Sequence, residues 1–204
     1  MLAGLDKTTT LAINGGSVPT ESDNSTAKPD LVRRGEEVSR LVSSLVDQIL
    51  ADDWLDPQTV VLGIANGGVA LGGLVARLLA RQSGFSLPYG VVETSFHRDD
   101  IGSRPIPIVA HPTDVPVNVE GGKVLLVDDV IASGRTIRAA LNETFDQGRP
   151  ESIRLAVLLD RGGRKLPVQP DYLADRIAVD PDRILSVTID EEDPGGHRIE
   201  SSPR

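Results

Sequence analysis

Cysteine is absent from the chain. That excludes a disulfide framework, a thiolate metal site and a cysteine nucleophile, and it makes the reducing cytoplasm the expected setting. A surplus of positive charge is missing too: 21 Lys and Arg stand against 30 Asp and Glu, a formal net charge of -9. This balance disfavours a protein that coats nucleic acid unselectively and leaves room only for a local basic patch. No stretch approaches the roughly 20 apolar residues of a membrane span. No basic-then-apolar segment opens the chain as a secretory signal would, so neither membrane insertion nor export is expected. The three histidines, His97, His111 and His197, have no spacing that assembles a metal site or a Ser-His-Asp arrangement, and read as incidental. What remains is 204 residues with 39% hydrophobic content, enough for one globular domain with a sizeable core.

Residues 1–30 are rich in Thr, Ser, Gly, Asn and Pro without a sustained apolar period, and read as a flexible N-terminal tail ahead of a domain over 31–204. Val38, Leu41, Val42, Leu45, Val46 and Ile49 recur at helical spacing, with Glu36, Glu37, Arg40 and Gln48 on the other face, which predicts an amphipathic helix. The apolar run Thr59–Ala65 predicts a strand buried on both faces, with a helix over Gly67–Arg81 after it. Leu87–His97 reads as a second strand. Pro105, Pro107, Pro112 and Pro116 then interrupt any regular helix and predict a Pro-rich flexible arm or hairpin. Beyond it come a strand at Lys123–Val127, a helix from Gly134 to about Phe145 and a strand at Ser152–Leu159. A Gly- and Pro-rich excursion over Asp160–Ala178 precedes a last strand at Ile184–Ile189. The alternation predicts an α/β fold with a mostly parallel central sheet flanked by helices. Ligands in such folds bind at the carboxyl ends of the strands.

The densest chemistry lies in Val124-Leu125-Leu126-Val127-Asp128-Asp129-Val130-Ile131-Ala132-Ser133-Gly134-Arg135-Thr136. An apolar strand delivers two adjacent carboxylates to its end, and a small-residue turn then opens a helix. Consecutive N–H groups and two hydroxyls at that helix start suit a phosphate, while the acids face sugar hydroxyls or a metal. Ile64-Ala65-Asn66-Gly67-Gly68-Val69 is a second strand-to-helix turn. It lacks the Lys and Ser/Thr of a nucleotide-triphosphate loop, so ATP hydrolysis is disfavoured. Two readings stand for it: an anion turn, or glycines that let the helix pack closely on the sheet. Arg98-Asp99-Asp100 and the basic loop Asp160-Arg161-Gly162-Gly163-Arg164-Lys165-Leu166-Pro167 are binding candidates or solvated charge.

The segment VLLVDDVIASGRT closely resembles the phosphoribosyl-diphosphate signature of the type I phosphoribosyltransferases. Within that family, SFHRDD and LDRGGRKLPVQPDY look like the group that is both pyrimidine operon attenuator and uracil phosphoribosyltransferase. The likeness spans roughly residues 31–193. It implies the type I phosphoribosyltransferase fold and transfer of ribose 5-phosphate from phosphoribosyl diphosphate to N1 of uracil, giving UMP and pyrophosphate. By this resemblance Ala132, Ser133, Gly134, Arg135 and Thr136 hold the 5-phosphate, and Asp128 and Asp129 are the catalytic acids at the ribose. Ala65, Asn66, Gly67 and Gly68 approach the pyrophosphate, and the arm from Arg98, Asp99 and Asp100 to about Val117 closes over the site. Val130, Ile131, Arg161 and Ile177 border the base. Mg²⁺ is held mainly through the diphosphate, with no direct protein ligand. Leader mRNA is an implied second partner, and a homo-oligomer, dimer or higher, the implied assembly.

The oxopurine enzymes of this family carry an Asp where Ala132 stands, so hypoxanthine and guanine are disfavoured; adenine enzymes share the Ala, and the Asp160–Tyr172 stretch argues against them. Three positions depart from the common pattern. Asn66-Gly67 replaces Thr-Arg, removing a cation that would pair with the diphosphate. His97 replaces a Tyr before the RDD element, and Gly163 replaces a His in the basic loop. Two alternatives remain open at this stage: a UMP-sensing RNA-binding attenuator with little catalysis, and a salvage enzyme for another base such as adenine.

Overall fold

A computed structural model of the chain describes residues 30–94 and 112–204. Among these, the elements run β1 (Asp30–Arg34), α1 (Glu36–Leu50), β2 (Val60–Ile64), α2 (Gly68–Ser83), β3 (Tyr89–Val92), β4 (Lys123–Ile131), α3 (Arg135–Asp146), β5 (Ser152–Asp160), β6 (Tyr172–Arg176), β7 (Arg183–Thr188) and β8 (Arg198–Pro203). Of the expected tail over residues 1–30, residues 1–29 lie outside the described residues, as does the segment 95–111, and Asp30 is the first residue of β1.

Five strands form one sheet in the order β3-β2-β4-β5-β6, with every neighbour parallel. β4 is central and covered on both faces, which is why its first half is continuously apolar. Alternation sends Leu125 and Val127 into a core shared with α1 and α2, and Val124 and Leu126 into a core shared with Ile137 and Ala140 of α3. β2 is buried throughout, as its apolar run predicts.

Helix α1 buries Val38, Val42, Leu45, Val46 and Ile49 of the stripe read from the sequence, with Leu41 partly buried beside them, and carries Glu36 and Glu37 in its first turn, where the positive end of the helix dipole favours them. Helix α2 lies close on the sheet. A Cβ at Gly68 would overlap the Val127 carbonyl, and one at Gly72 would stand 3.0 Å from the Cα of Gly63. The packing reading of this glycine-rich segment therefore holds at Gly68 and Gly72.

The second half of the chain departs from the pattern in two ways. Tyr172–Arg176, within the expected excursion, is the edge strand β6. The segment read as a last strand of the main sheet is β7 of a separate sheet, ordered β1-β8-β7 and antiparallel throughout. Leu185 and Ile199 bury that sheet against the main core, and an Arg33–Asp175 ion pair at 2.6 Å ties β1 to β6.

At the edge formed by the N-terminal strand ends, Arg154 stacks on Trp54 with its guanidinium 4.9 Å from the ring centroid and on Tyr172 at 5.8 Å. It also pairs with Asp52 and donates to Tyr172 Oη at 2.6 Å. Trp54 Nε1 donates to Ser152 Oγ at 3.0 Å, and Lys123 pairs with Asp56 at 2.9 Å. This clamp binds the α1–β2 loop to β4, β5 and β6 at the edge opposite the carboxyl ends. Arg154→Ala is expected to cost about 1–2 kcal/mol of stability and to leave turnover unchanged; chemical denaturation alongside steady-state kinetics checks both halves.

Candidate active site

Because the five strands are parallel, their carboxyl ends share one edge, and there Ile64 of β2, Ile131 of β4 and Asp160 of β5 lead into loops. β4 runs to Ile131 rather than ending near Val127, so the acid pair sits inside its hydrogen-bonded length. Asp128 is only 5% exposed. Its Oδ1 accepts the Asp129 N–H at 3.1 Å, and Asp129 Oδ1 accepts the Val130 N–H at 2.8 Å. Among the described residues no Arg or Lys pairs with either carboxylate. Burial pushes the Asp128 carboxyl well above the ordinary value of 3.8, and the Asp129 charge adds to the shift. Burial also raises Asp129, against hydrogen bonds from the Val130 N–H and Asp128 that pull it down. A buried carboxylate beside a half-buried one, with no cation paired to either among the described residues, costs stability and is ready for a cationic ligand.

The β2–α2 turn touches this pair directly. Ala65 is buried, the Ala65–Asn66 peptide is cis, and Asn66 is exposed. A Cβ at Gly67 would overlap the Asp129 carboxylate, so Gly67 is where α2 meets the acid. Gly67 is also the N-cap of α2, with no side-chain cap and no acid in the first turn. The same holds at α3, whose N-cap is Gly134 at φ 87. Both helix N-termini lie beside the acid pair and suit an anion: neither N-cap glycine supplies a side-chain cap, and at α3 Ser133 Oγ accepts the Arg135 N–H at 3.3 Å. Ala132, Ser133 and Thr136 are half-buried, Gly134 is buried and Arg135 is exposed.

A residue pair that the sequence reading left unassigned holds the α3 turn. Arg164 Nη2 donates to Asp160 Oδ2 at 2.9 Å and Nη1 to Oδ1 at 3.0 Å, a bidentate pair. The same guanidinium donates to the Ala132 carbonyl at 2.8 Å and, through Nε, to the Val168 carbonyl at 2.9 Å. The Lys165 and Leu166 N–H groups both donate to the Ser133 carbonyl, at 2.9 and 3.2 Å. Burial alone would raise the Asp160 carboxyl, but the Gly162 N–H and the Arg164 guanidinium outweigh it and hold it below its ordinary value. The available signal was the four-residue spacing from Asp160 to Arg164; the contact with Ala132 could not be read from local pattern.

The candidate base residues divide. Ile131 is 1% exposed and packed in the core, so only its backbone reaches the site, where its carbonyl accepts the Arg161 N–H at 3.1 Å. Val130 is half-buried against the core. The Arg161 guanidinium donates to the Arg183 carbonyl at 2.7 Å, and the Ile177 N–H to the Asp160 carbonyl at 2.9 Å. A cleft of about 460 Å³ opens beside the turn, lined by Ala132, Ser133, Arg161, Lys165 and Arg204 among others, with no acid in its wall. Arg98, Asp99 and Asp100 lie outside the described residues. The far end of the expected arm is described: Asp114 pairs antiparallel with Val91, its N–H donating to the Val91 carbonyl at 2.9 Å. His197 is buried, and its Nδ1 accepts the Asp190 N–H at 3.1 Å, which makes it part of a turn rather than incidental.

Among the described residues no helix is long and apolar enough to cross a membrane. Structures sharing this architecture include a hypoxanthine-guanine phosphoribosyltransferase from Bacillus anthracis (TM-score 0.61, 22% identity, 84% of this chain and 97% of that one). Another is the hypoxanthine phosphoribosyltransferase of Trypanosoma cruzi (TM-score 0.60, 18% identity, 86% and 97%). At these identities they establish the fold alone, a type I phosphoribosyltransferase fold. In sequence, the chain is 44% identical over 156 residues to the bifunctional protein PyrR of Ralstonia nicotianae, covering 73% of this chain and 84% of that protein. It is 38% identical over 158 residues to the bifunctional protein PyrR of a Geobacter species, covering 78% and 89%. Residues 32–184 match the phosphoribosyl transferase domain, and the chain belongs to the phosphoribosyltransferase family, alongside the bifunctional PyrR proteins.

Proposed function

We propose that the protein transfers the ribose 5-phosphate group of phosphoribosyl diphosphate to N1 of uracil, yielding UMP and pyrophosphate. The observation that carries this reading is the acid pair, Asp128 buried and Asp129 half-buried with no Arg or Lys paired to either among the described residues, set beside the N-termini of α2 and α3, whose N-caps are glycines. In the reaction the bond from sugar C1 to uracil N1 forms as the bond from C1 to the diphosphate oxygen breaks, and the N1 proton of uracil passes to the released pyrophosphate or to water. Positive charge develops on the sugar ring, and Asp128 and Asp129 stabilise it while accepting hydrogen bonds from the ribose hydroxyls. The N–H groups opening α3, with Ser133 and Thr136, hold the 5-phosphate; the turn Ala65–Gly68 faces the diphosphate. The base lies beside Val130, the Ile131 backbone, Arg161 and Ile177. The oxygen-only donor set of the acid pair suits a hard cation, and Mg²⁺ bound through the diphosphate would neutralise charge on the leaving group.

Arg161, Lys165 and Arg204 on one cleft give the acidic chain a local basic wall, which supports a second duty in binding pyrimidine-operon leader mRNA. A gel-shift titration with and without UMP tests it: salt-dependent binding selective for leader RNA supports the duty, and equal binding to unrelated RNA removes it. Assembly as a homo-oligomer in the cytoplasm completes the proposal, with sedimentation analysis as its check.

The catalytic reading is tested by incubating the protein with phosphoribosyl diphosphate, Mg²⁺ and, separately, uracil, adenine, hypoxanthine and guanine. UMP is expected as the dominant product. AMP or another nucleotide without UMP would remove the uracil assignment.

A further inference from the structure

We infer that Arg164, held by Asp160, is a positioning residue that orients the peptide planes of the phosphate turn. The inference rests on the assignment of Ala132–Thr136 to the 5-phosphate.

The argument starts from peptide geometry. In a planar trans peptide the C=O of one residue and the N–H of the next point in opposite directions. Fixing the Ala132 carbonyl therefore aims the Ser133 N–H, and fixing the Ser133 carbonyl aims the Gly134 N–H. Both carbonyls are fixed by one loop: Arg164 Nη1 donates to Ala132 O at 2.8 Å, and the Lys165 and Leu166 N–H groups donate to Ser133 O. The two N–H groups consequently project away from that loop, as a pair of donors ahead of the α3 N-terminus. Gly134, at φ 87, supplies the left-handed conformation that carries the chain from this pair into the helix. Leu166 and Val168 pack on it, their Cβ atoms each 3.5 Å from where a Gly134 Cβ would stand.

The strut is rigid. Asp160 is the last residue of β5 and pairs with Ile131 in the β4 ladder, so its carboxylate is fixed by the central sheet. It grips Arg164 bidentately, and the Val168 carbonyl takes the remaining Nε donor. Only a guanidinium provides a forked pair to the carboxylate together with two further donors to carbonyls; a lysine ammonium has three donors and no fork. A charged donor on the Ala132 carbonyl also polarises that peptide and strengthens the Ser133 N–H as a donor to an anion.

The test is Arg164→Lys, with Arg164→Gln as a second variant, assayed by calorimetric titration with ribose 5-phosphate and, separately, with pyrophosphate and Mg²⁺. Steady-state kinetics run in parallel. Ribose 5-phosphate affinity is expected to fall about tenfold in both variants, with KM for phosphoribosyl diphosphate rising by a similar factor. Pyrophosphate affinity, KM for the base and kcat should each stay within about twofold, while the thermal midpoint falls by about a few degrees as the bonds to Asp160, Ala132 and Val168 are lost. Unchanged ribose 5-phosphate affinity in both variants would overturn the inference, as would equal losses for both ligands, which would mark Arg164 as a general structural residue. Wild-type protein that binds neither ligand would instead overturn the underlying functional reading.

Discussion

Asp128→Asn is expected to lower the rate of nucleotide formation by about 10²-fold or more, and to make the ligand-free protein more stable at neutral pH. Both effects have one cause. The carboxyl is 5% exposed, beside a second acid and without a cationic partner among the described residues, so its charge is costly until a substrate arrives. An amide of the same shape removes that cost and with it the charge that stabilises the developing cation on the sugar. The pH dependence carries the sign. The folded state holds this proton more tightly than the unfolded chain, so this group's contribution to stability is greatest at low pH and falls as pH rises from the ordinary value of 3.8 through the raised one. In the variant this fall should be smaller. Thermal denaturation across pH 4 to 8, compared with turnover, separates the outcomes: a destabilised variant at pH 7, or one retaining full activity, would refute the role given to Asp128.

The two adjacent glycines of the β2–α2 turn should respond to alanine in opposite ways. At Gly68 the added methyl meets the Val127 carbonyl, a backbone atom of the central strand, so α2 must move off the sheet. A loss of about 3 kcal/mol is expected, or roughly 6–12 °C in the thermal midpoint. At Gly67 the nearest atoms the methyl meets belong to the Asp129 carboxylate, a side chain rather than backbone, and φ is an ordinary -71. That side chain can rotate aside, so stability should change by less than about 1 kcal/mol while activity falls about tenfold or more as Asp129 leaves its place. Equal effects at the two positions in the same pair of assays would show that the turn does not separate packing from chemistry in this way.

The features that could be read from sequence are those written within a few residues. The β4 run, the acid pair after it and the Ser133-Gly134 turn are contiguous, and the structure keeps them together at one strand end. Helix α1 was legible because six apolar residues at helical spacing suffice to define a stripe. What escaped depends on distant partners. Tyr172–Arg176 is short and follows Pro167 and Pro170, so nothing local marks it as a strand; its partner β5 does. Ile184–Ile189 carries a strand pattern, but the pattern says nothing about which sheet takes it, and β8, with its Ser and Glu residues, gave no signal of its own. The resemblance put Ile131 beside the base, yet alternation turned its side chain into the core. Arg164 became visible only once the Asp160 loop folded back on Ala132.

The central claim, that the acid pair and the phosphate turn together transfer a phosphoribosyl group to uracil, is tested most directly by pyrophosphate release. With phosphoribosyl diphosphate and Mg²⁺ present, adding uracil to the wild-type protein should release one pyrophosphate per UMP formed, and Asp128→Asn should show little of either. Pyrophosphate release that does not depend on uracil, or that is undiminished in Asp128→Asn, would contradict it.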